Sequence, residues 1–188
     1  PTGLPGASTN RRGQTETLSY DARGLVIRKT FADGSSIAFE YNSYGDLSRI
    51  VDGSDITSYT YYPLSSGGRL QRVNYPGGRF LEYRYDDYGR RRETLDQDGF
   101  VTKYEYDAVG RLTRLSDAND STLVVYTYDS AGRLVRIDKG NGSTTIYIYD
   151  DVGQVASLVN LLADGSVGSR FDYRYDDRGR RVSLRTMT

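Results

Sequence analysis

A tyrosine, followed at once by aspartate or asparagine and four residues on by glycine, returns along this chain at a nearly fixed interval. The clearest copy is Tyr106-Asp107-Ala108-Val109-Gly110-Arg111-Leu112, matched by Tyr128-Asp129-Ser130-Ala131-Gly132-Arg133-Leu134. Further copies start at Tyr20, Tyr41, Tyr85, Tyr149 and Tyr175, and a degenerate copy is read from Tyr62. The spacing runs from 21 to 26 residues. A period of this size means a stack of small supersecondary units, none able to bury its apolar face alone.

Each unit carries two turn signals. In Tyr-Asp-x-x-Gly, an aspartate or asparagine at the first turn position accepts backbone N–H groups through its side chain. The glycine then takes the left-handed conformation of a bulged hairpin. The pairs are Asp21…Gly24, Asn42…Gly45, Asp86…Gly89, Asp107…Gly110, Asp129…Gly132, Asp150…Gly153 and Asp176…Gly179. The second signal falls roughly 14 residues after the tyrosine, at Asp33-Gly34, Asp98-Gly99 and Asn141-Gly142, with Asp52-Gly53 and Asp164-Gly165 close to that offset. Pro76-Gly77-Gly78 fits once a two-residue insertion near Ser65–Gly68 is allowed for, and Asp117-Ala118-Asn119-Asp120 replaces the glycine with other turn formers. Two turns per unit leave two strands of about six residues.

The intervening segments alternate as strands do. In Thr102-Lys103-Tyr104-Glu105-Tyr106 the threonine and tyrosines share one face and the charges share the other. No segment has a convincing helical period; Gln154–Ala163 is read as a strand lengthened by insertion. The fold expected is therefore all-β: an antiparallel meander of about 16 short strands in repeated hairpins, curled into a hollow barrel or spiral shell segment. Laid flat, that many strands would span roughly 77 Å, and twisted sheets curl before reaching such widths. Gln14–Tyr20 and Arg180–Thr186 can in principle pair and close the sheet; otherwise both remain edges. Residues 1–13, with two prolines and three glycines, are read as an irregular lead-in, and 14–188 as one repeat domain.

Equivalent tyrosines lie two strands apart, about 9.6 Å, too far to stack directly. Val26, Leu47, Leu70, Leu112 and Leu134 are the residues expected between them. The phenol hydroxyls should reach backbone or arginine partners. Two arginine columns (Arg49, Arg72, Arg114, Arg136; and Arg69, Arg111, Arg133) are available to those hydroxyls or to Glu82 and Glu105. Of the 18 tyrosines, eight fall in the repeat-defining column and five (Tyr83, Tyr104, Tyr126, Tyr147, Tyr173) two residues earlier, so the tyrosine excess is architectural.

Composition narrows the chemistry. Lysine plus arginine equal aspartate plus glutamate at 25 each, so no net basic field points to nucleic acid. The chain has no cysteine and no histidine, which removes thiolate ligands, the commonest metal ligand and the commonest general base. No apolar run approaches a membrane helix, and the strands are too short for a membrane barrel, which takes about 9–11 residues per strand. Nearly every aspartate sits at a turn, where the backbone occupies it; Asp96-Gln97-Asp98-Gly99 resembles the start of a calcium loop but lacks its closing glutamate. No catalytic, cofactor-binding or metal-binding residue is assigned, no cofactor is expected, and the chain is read as no enzyme.

The pattern Tyr-Asp-x-x-Gly-Arg-Leu-x-Arg-Ile/Leu…Gly…Tyr-x-Tyr-Asp resembles the YD-repeat, or RHS-repeat, family from about residue 14 onward. The resemblance implies a strip of β-hairpins that spirals into a hollow shell, as in bacterial Rhs toxins, the cocoon-forming subunits of Tc toxins, and teneurins. It also implies a secreted or cell-surface protein whose partner is a toxin polypeptide or further repeats of a longer chain. The chain departs from complete members in having far fewer repeats and no Asp-Pro pair, so no self-cleaving residues are carried over. The alternative is an adhesion or glycan-binding module using tyrosines read as lying outside the two columns: Tyr44, Tyr59, Tyr61, Tyr75 and Tyr88.

Overall fold

The computed structural model describes residue 4 and residues 6–187. Its elements are strands, apart from single 3-10 turns at Leu64–Ser66 and Pro76–Gly78. The 17 strands form an antiparallel meander, and within each unit the registers join strands consecutive in the chain. Contacts divide the molecule into two units, residues 1–90 with 94–99, and residues 91–93 with 100–188.

The first unit holds β1 (Ala7–Thr9), β2 (Thr15–Tyr20), β3 (Val26–Thr30), β4 (Ser36–Tyr41), β5 (Leu47–Asp52), β6 (Asp55–Tyr61), β7 (Leu70–Asn74) and β8 (Phe80–Tyr85). β9 (Arg91–Asp96) is divided between the units. The second unit continues with β10 (Val101–Tyr106), β11 (Leu112–Ser116), β12 (Thr122–Tyr128), β13 (Leu134–Lys139) and β14 (Thr144–Tyr149). It ends with β15 (Val155–Leu161), β16 (Val167–Tyr175) and β17 (Arg181–Met187).

The meander and its hairpins are as the sequence implies, with one strand more than counted. That strand is β1, inside the stretch read as irregular; of the rest of that stretch, residues 1–3 and 5 lie outside the described residues. β1 forms because β2 offers a free edge: Ala7 pairs with Thr17 and Thr9 with Thr15, while Thr17 also pairs with Thr30 of β3. Both edges of β2 are thus occupied within the first unit, by β1 and β3. At the other end β17 pairs with β16 and all seven of its residues are exposed, as an edge strand should be.

At each first turn the glycine N–H closes onto the aspartate carbonyl, as in Gly110 to Asp107 at 3.0 Å, and the aspartate N–H onto the residue after the glycine, as in Asp107 to Arg111 at 2.9 Å. Gly110 has φ +87°. A side chain in that conformation costs roughly 1–2 kcal/mol. The ladder slips by one residue at the tyrosine: Glu105 faces Arg114, but Tyr106 faces Leu112. This is the G1 bulge. It leaves Tyr104, Leu115, Val124, Tyr126 and Ile137 on one face and turns Glu105 and Arg114 to the other. Asp120 stands in for a glycine with φ +62°, the one described non-glycine residue with positive φ. Lys103 holds its carboxylate at 2.8 Å. Gln154–Ala163 is a strand as expected; the long interval comes from β15 with seven residues and β16 with nine.

Within each unit the substantial strand contacts are between chain neighbours, so each unit is a single layer. Only Val73, Tyr83 and Val159 are buried apolar residues among those described, and most side chains on the tyrosine face are half-buried. Cross-strand neighbours supply that burial.

Candidate functional site

In the second unit, successive repeats grip one another through a constellation that is complete from Tyr106 to Tyr128 and from Tyr128 to Tyr149. Asp107 Oδ1 accepts the backbone N–H groups of Val109 and Arg111 at 3.1 and 2.9 Å, and its Oδ2 accepts Arg111 Nε at 2.7 Å. The same Asp-to-Arg bond recurs from Asp86 to Arg90 and Asp129 to Arg133 at 2.7 Å, and from Asp176 to Arg180 at 2.8 Å. Planar guanidinium, held by its own turn, then lies over the ring of the following repeat's tyrosine. Arg111 is 4.7 Å from the centre of Tyr128, and Arg133 is 4.5 Å from that of Tyr149. Each also rests on the next turn glycine: a Cβ placed on Gly132 or Gly153 would sit 3.5 Å from that arginine.

The tyrosine closes the clamp. Tyr128 OH donates to Leu112 O at 2.9 Å and Tyr149 OH to Leu134 O at 2.8 Å. The same bond joins Tyr106 to Arg91 O and Tyr175 to Val155 O in the second unit. In the first it joins Tyr41 to Val26 O, Tyr61 to Leu47 O and Tyr85 to Leu70 O. A hydroxyl bond of this kind nets about 1 kcal/mol and an accessible cation–π contact about 0.5–1, so one junction contributes roughly 1.5–2 kcal/mol. The expected alternation of tyrosines with Val26, Leu47, Leu70, Leu112 and Leu134 is present, but Arg91 and Arg181 take the same place beside Tyr106 and Tyr175.

Two readings of the residues change. The degenerate repeat is built on Tyr61, not Tyr62: Tyr61 faces Leu70 and bonds Leu47 O as its equivalents do. Tyr62 takes the aspartate's place, its N–H bonding Arg69 O across a turn three residues longer than the others, while its hydroxyl reaches Tyr83 O. Tyr59 and Tyr61 therefore belong to the two columns, which leaves Tyr44, Tyr75 and Tyr88 outside them together with Tyr62. Tyr44 is 69% exposed and Tyr88 84%. The hydroxyls go to backbone carbonyls rather than to arginines. One arginine column (Arg111, Arg133) pairs with turn aspartates. In the other, Arg49 binds Glu40 at 2.7 Å, Arg114 binds Glu105 at 2.8 Å and Arg136 binds Asp138 at 2.7 Å, while Arg72 lies 3.7 Å from Glu82.

The backbone N–H of Arg111, then its guanidinium, hold Asp107 below the ordinary carboxylate range, against the opposing effect of burial. Asp129 is lowered in the same way by Arg133. Burial raises Tyr59, Tyr61, Tyr126 and Tyr149 above the ordinary phenol value. These shifts belong to structural partners. Asp96-Gln97-Asp98-Gly99 is an ordinary turn, with Asp98 N bonded to Asp96 Oδ1 at 3.0 Å. Among the described residues no three acidic side chains gather as a metal site, and no helix is long and apolar enough to cross a membrane.

Hairpins in register, clamped repeat to repeat in one layer, define a β-repeat scaffold. The RHS Repeat family matches residues 20–57, 91–122, 106–144 and 128–167, more than half of the sequence, and the chain belongs to that family. It is 38% identical over 100 residues to the double-stranded DNA deaminase toxin A of Burkholderia cenocepacia (strain H111). It is 34% identical over 110 residues to the probable deoxyribonuclease RhsB of Dickeya dadantii (strain 3937). Each match takes in 52% of this chain and 7% of the relative. Among solved structures, TcdB2-TccC3 without its hypervariable C-terminal region matches 98% of the chain with a TM-score of 0.70 at 17% identity. The Photorhabdus luminescens Tc holotoxin pore (with the TccC3 D651A mutation) matches 98% with 0.67 at 16%. The chain spans 11% and 12% of those two chains, and the likeness is one of fold.

Proposed function

We propose that this chain is a non-enzymatic segment of a shell, a repeat domain over residues 14–188 that holds a toxin polypeptide against its tyrosine-bearing face. The observation that carries the reading is the amount of surface left uncovered. A self-sufficient monomer of 21.1 kDa exposes about 9,000 Å², whereas this chain exposes 12520 Å². The excess, on the order of 3,500 Å² on this chain alone, is at least as large as one side of a large permanent interface. Half-buried tyrosines, leucines and valines in rows offer sequence-tolerant apolar contact to an unfolded chain, and the turn clamps keep that face in place without it. The toxin relatives, and the TcdB2-TccC3 fold, support the same role, and with it a secreted or cell-surface setting. The deaminase and deoxyribonuclease activities in the relatives' names belong to those proteins, of which this chain spans a small part.

The test joins an unstructured reporter, cut by a site-specific protease absent from the chain's own specificity, to the C-terminus. Cleavage at least tenfold slower than for the same reporter on an unrelated β-sheet protein is expected, together with protection of Tyr126 and Tyr147 from nitration. Equal cleavage and unchanged nitration would overturn the reading. A second reading, adhesion to carbohydrate, is favoured by the exposed rings of Tyr44 and Tyr88 at the turn tips. It requires glycan-array binding lost in the Tyr44→Ala, Tyr88→Ala double variant with the fold intact.

A further inference from the structure

In the first unit Leu25 and Asp46 also stand where the arginine does, but there Arg23 holds Asp21 and the acid is replaced by Asn42. In the second unit the clamp is incomplete at one repeat, and what is missing is a guanidinium. Asp150 occupies the position of Asp107 and Asp129, and its Oδ1 accepts Val152 N and Gln154 N at 3.1 and 2.8 Å, as in the complete copies. The residue four further on, arginine in those copies, is Gln154. Among the described residues Asp150 Oδ2 therefore has no hydrogen-bond or ion-pair partner. The other walls of the slot are present: Tyr175, its hydroxyl bonded to Val155 O at 2.9 Å, and the turn glycine Gly179. These match Tyr149 and Gly153, between which Arg133 lies. Gln154 reaches only part of the way. Its Nε2 lies 3.1 Å from where a Cβ of Gly179 would stand, and its Oε1 is buried without a donor. A hollow of about 510 Å³ opens at this place, lined by Asp150, Gln154, Tyr175 and Gly179, with Asp177 and Arg178 also on its walls. Arg178 makes no hydrogen bond to Asp150.

We infer that this hollow binds a guanidinium group supplied from outside the repeat, an arginine side chain of a partner polypeptide. The carboxylate of Asp150 takes one N–H edge, the orphaned Gln154 Oε1 takes another N–H, and the ring of Tyr175 stacks on the planar cation, as Tyr149 does on Arg133. An unsatisfied buried acceptor beside a free carboxylate oxygen demands a donor with charge, and a planar fork meets both. The inference stands apart from the identity of the cargo: the slot is defined by the chain's own complete copies.

The experiment titrates the ¹⁵N-labelled chain with N-acetylarginine amide, using the neutral isostere N-acetylcitrulline amide as control. Saturable shifts confined to the amides of residues 150–154 and Gly179 and to the Tyr175 ring are expected from the arginine probe and not from citrulline. Gln154→Arg should fill the slot in cis and reduce probe binding at least tenfold. Asp150→Asn, which keeps the turn acceptor as Asn42 does, should remove binding without unfolding the chain. Absence of saturable shifts, equal shifts from citrulline, or binding unaffected by Gln154→Arg and Asp150→Asn would overturn the assignment.

Discussion

Replacing Tyr128 with phenylalanine isolates the hydroxyl arm of the clamp. The substitution removes a 2.9 Å bond to Leu112 O and leaves the ring in place over Arg111. Both residues are half-buried, so the carbonyl is left partly desolvated and water restores only part of the bond. The expected loss is about 1 kcal/mol, within the 0.5–1.5 range for such bonds. For a chain of this length that lowers Tm by roughly 2–4 °C. Urea unfolding followed by far-ultraviolet dichroism should show a lower midpoint with an unchanged slope. Tyr41→Phe removes the corresponding 2.8 Å bond to Val26 O in the other unit, and with no shared partners the two losses should add to about 2 kcal/mol. Tyr88, 84% exposed, is the control, and Tyr88→Phe should stay within about 0.5 kcal/mol of the parent. If Tyr128→Phe proved as neutral as Tyr88→Phe, the hydroxyl row would not couple the repeats.

Asp107→Asn keeps the acceptor for the turn N–H groups but loses the ion pair to Arg111, whereas Asp107→Ala loses both; melting temperatures should fall in that order. Gly140→Ala should cost about 2–3 kcal/mol although Gly140 lacks positive φ, because its Cβ would lie 2.5 Å from Thr122 O. Gly99→Ala, with φ +80° and nothing within 4 Å, should cost about 1–2 kcal/mol by the same unfolding measurement. Asp107 and Asp129 ionise more readily folded than unfolded, so their contribution is full above the unfolded value near 3.8. It is lost as pH falls through their lower folded values. Tyr59 and Tyr126, raised above 10.0, stay neutral longer when folded, so stability should also decline as pH rises from about 10. Unfolding midpoints measured across both pH windows, with tyrosinate absorbance in the alkaline one, check the two signs.

Much of this architecture was legible in the sequence because it is local. Asp107 and Gly110 specify a bulged turn within four residues, and Thr102, Tyr104 and Tyr106 announce a strand by alternation alone. The register at an irregular turn, and pairings outside the regular hairpins, were not. Tyr62 carries the sequence spacing, yet Tyr61 carries the hydroxyl bond, because a turn longer by three residues shifts the register and two adjacent tyrosines look alike. β1 has no signal in the sequence, since Ala7-Ser8-Thr9 has no pattern of its own and is ordered by the free edge of β2. The sequence by itself determined the repeated hairpin, its turns and the alternation of tyrosine with aliphatic residues. Only the tertiary structure decided that Arg111 and Arg133 join their own turns to the next repeat's ring, and that Gln154 leaves the following joint open. Those contacts link residues about 15–20 positions apart across strands, where no local preference can choose the partner.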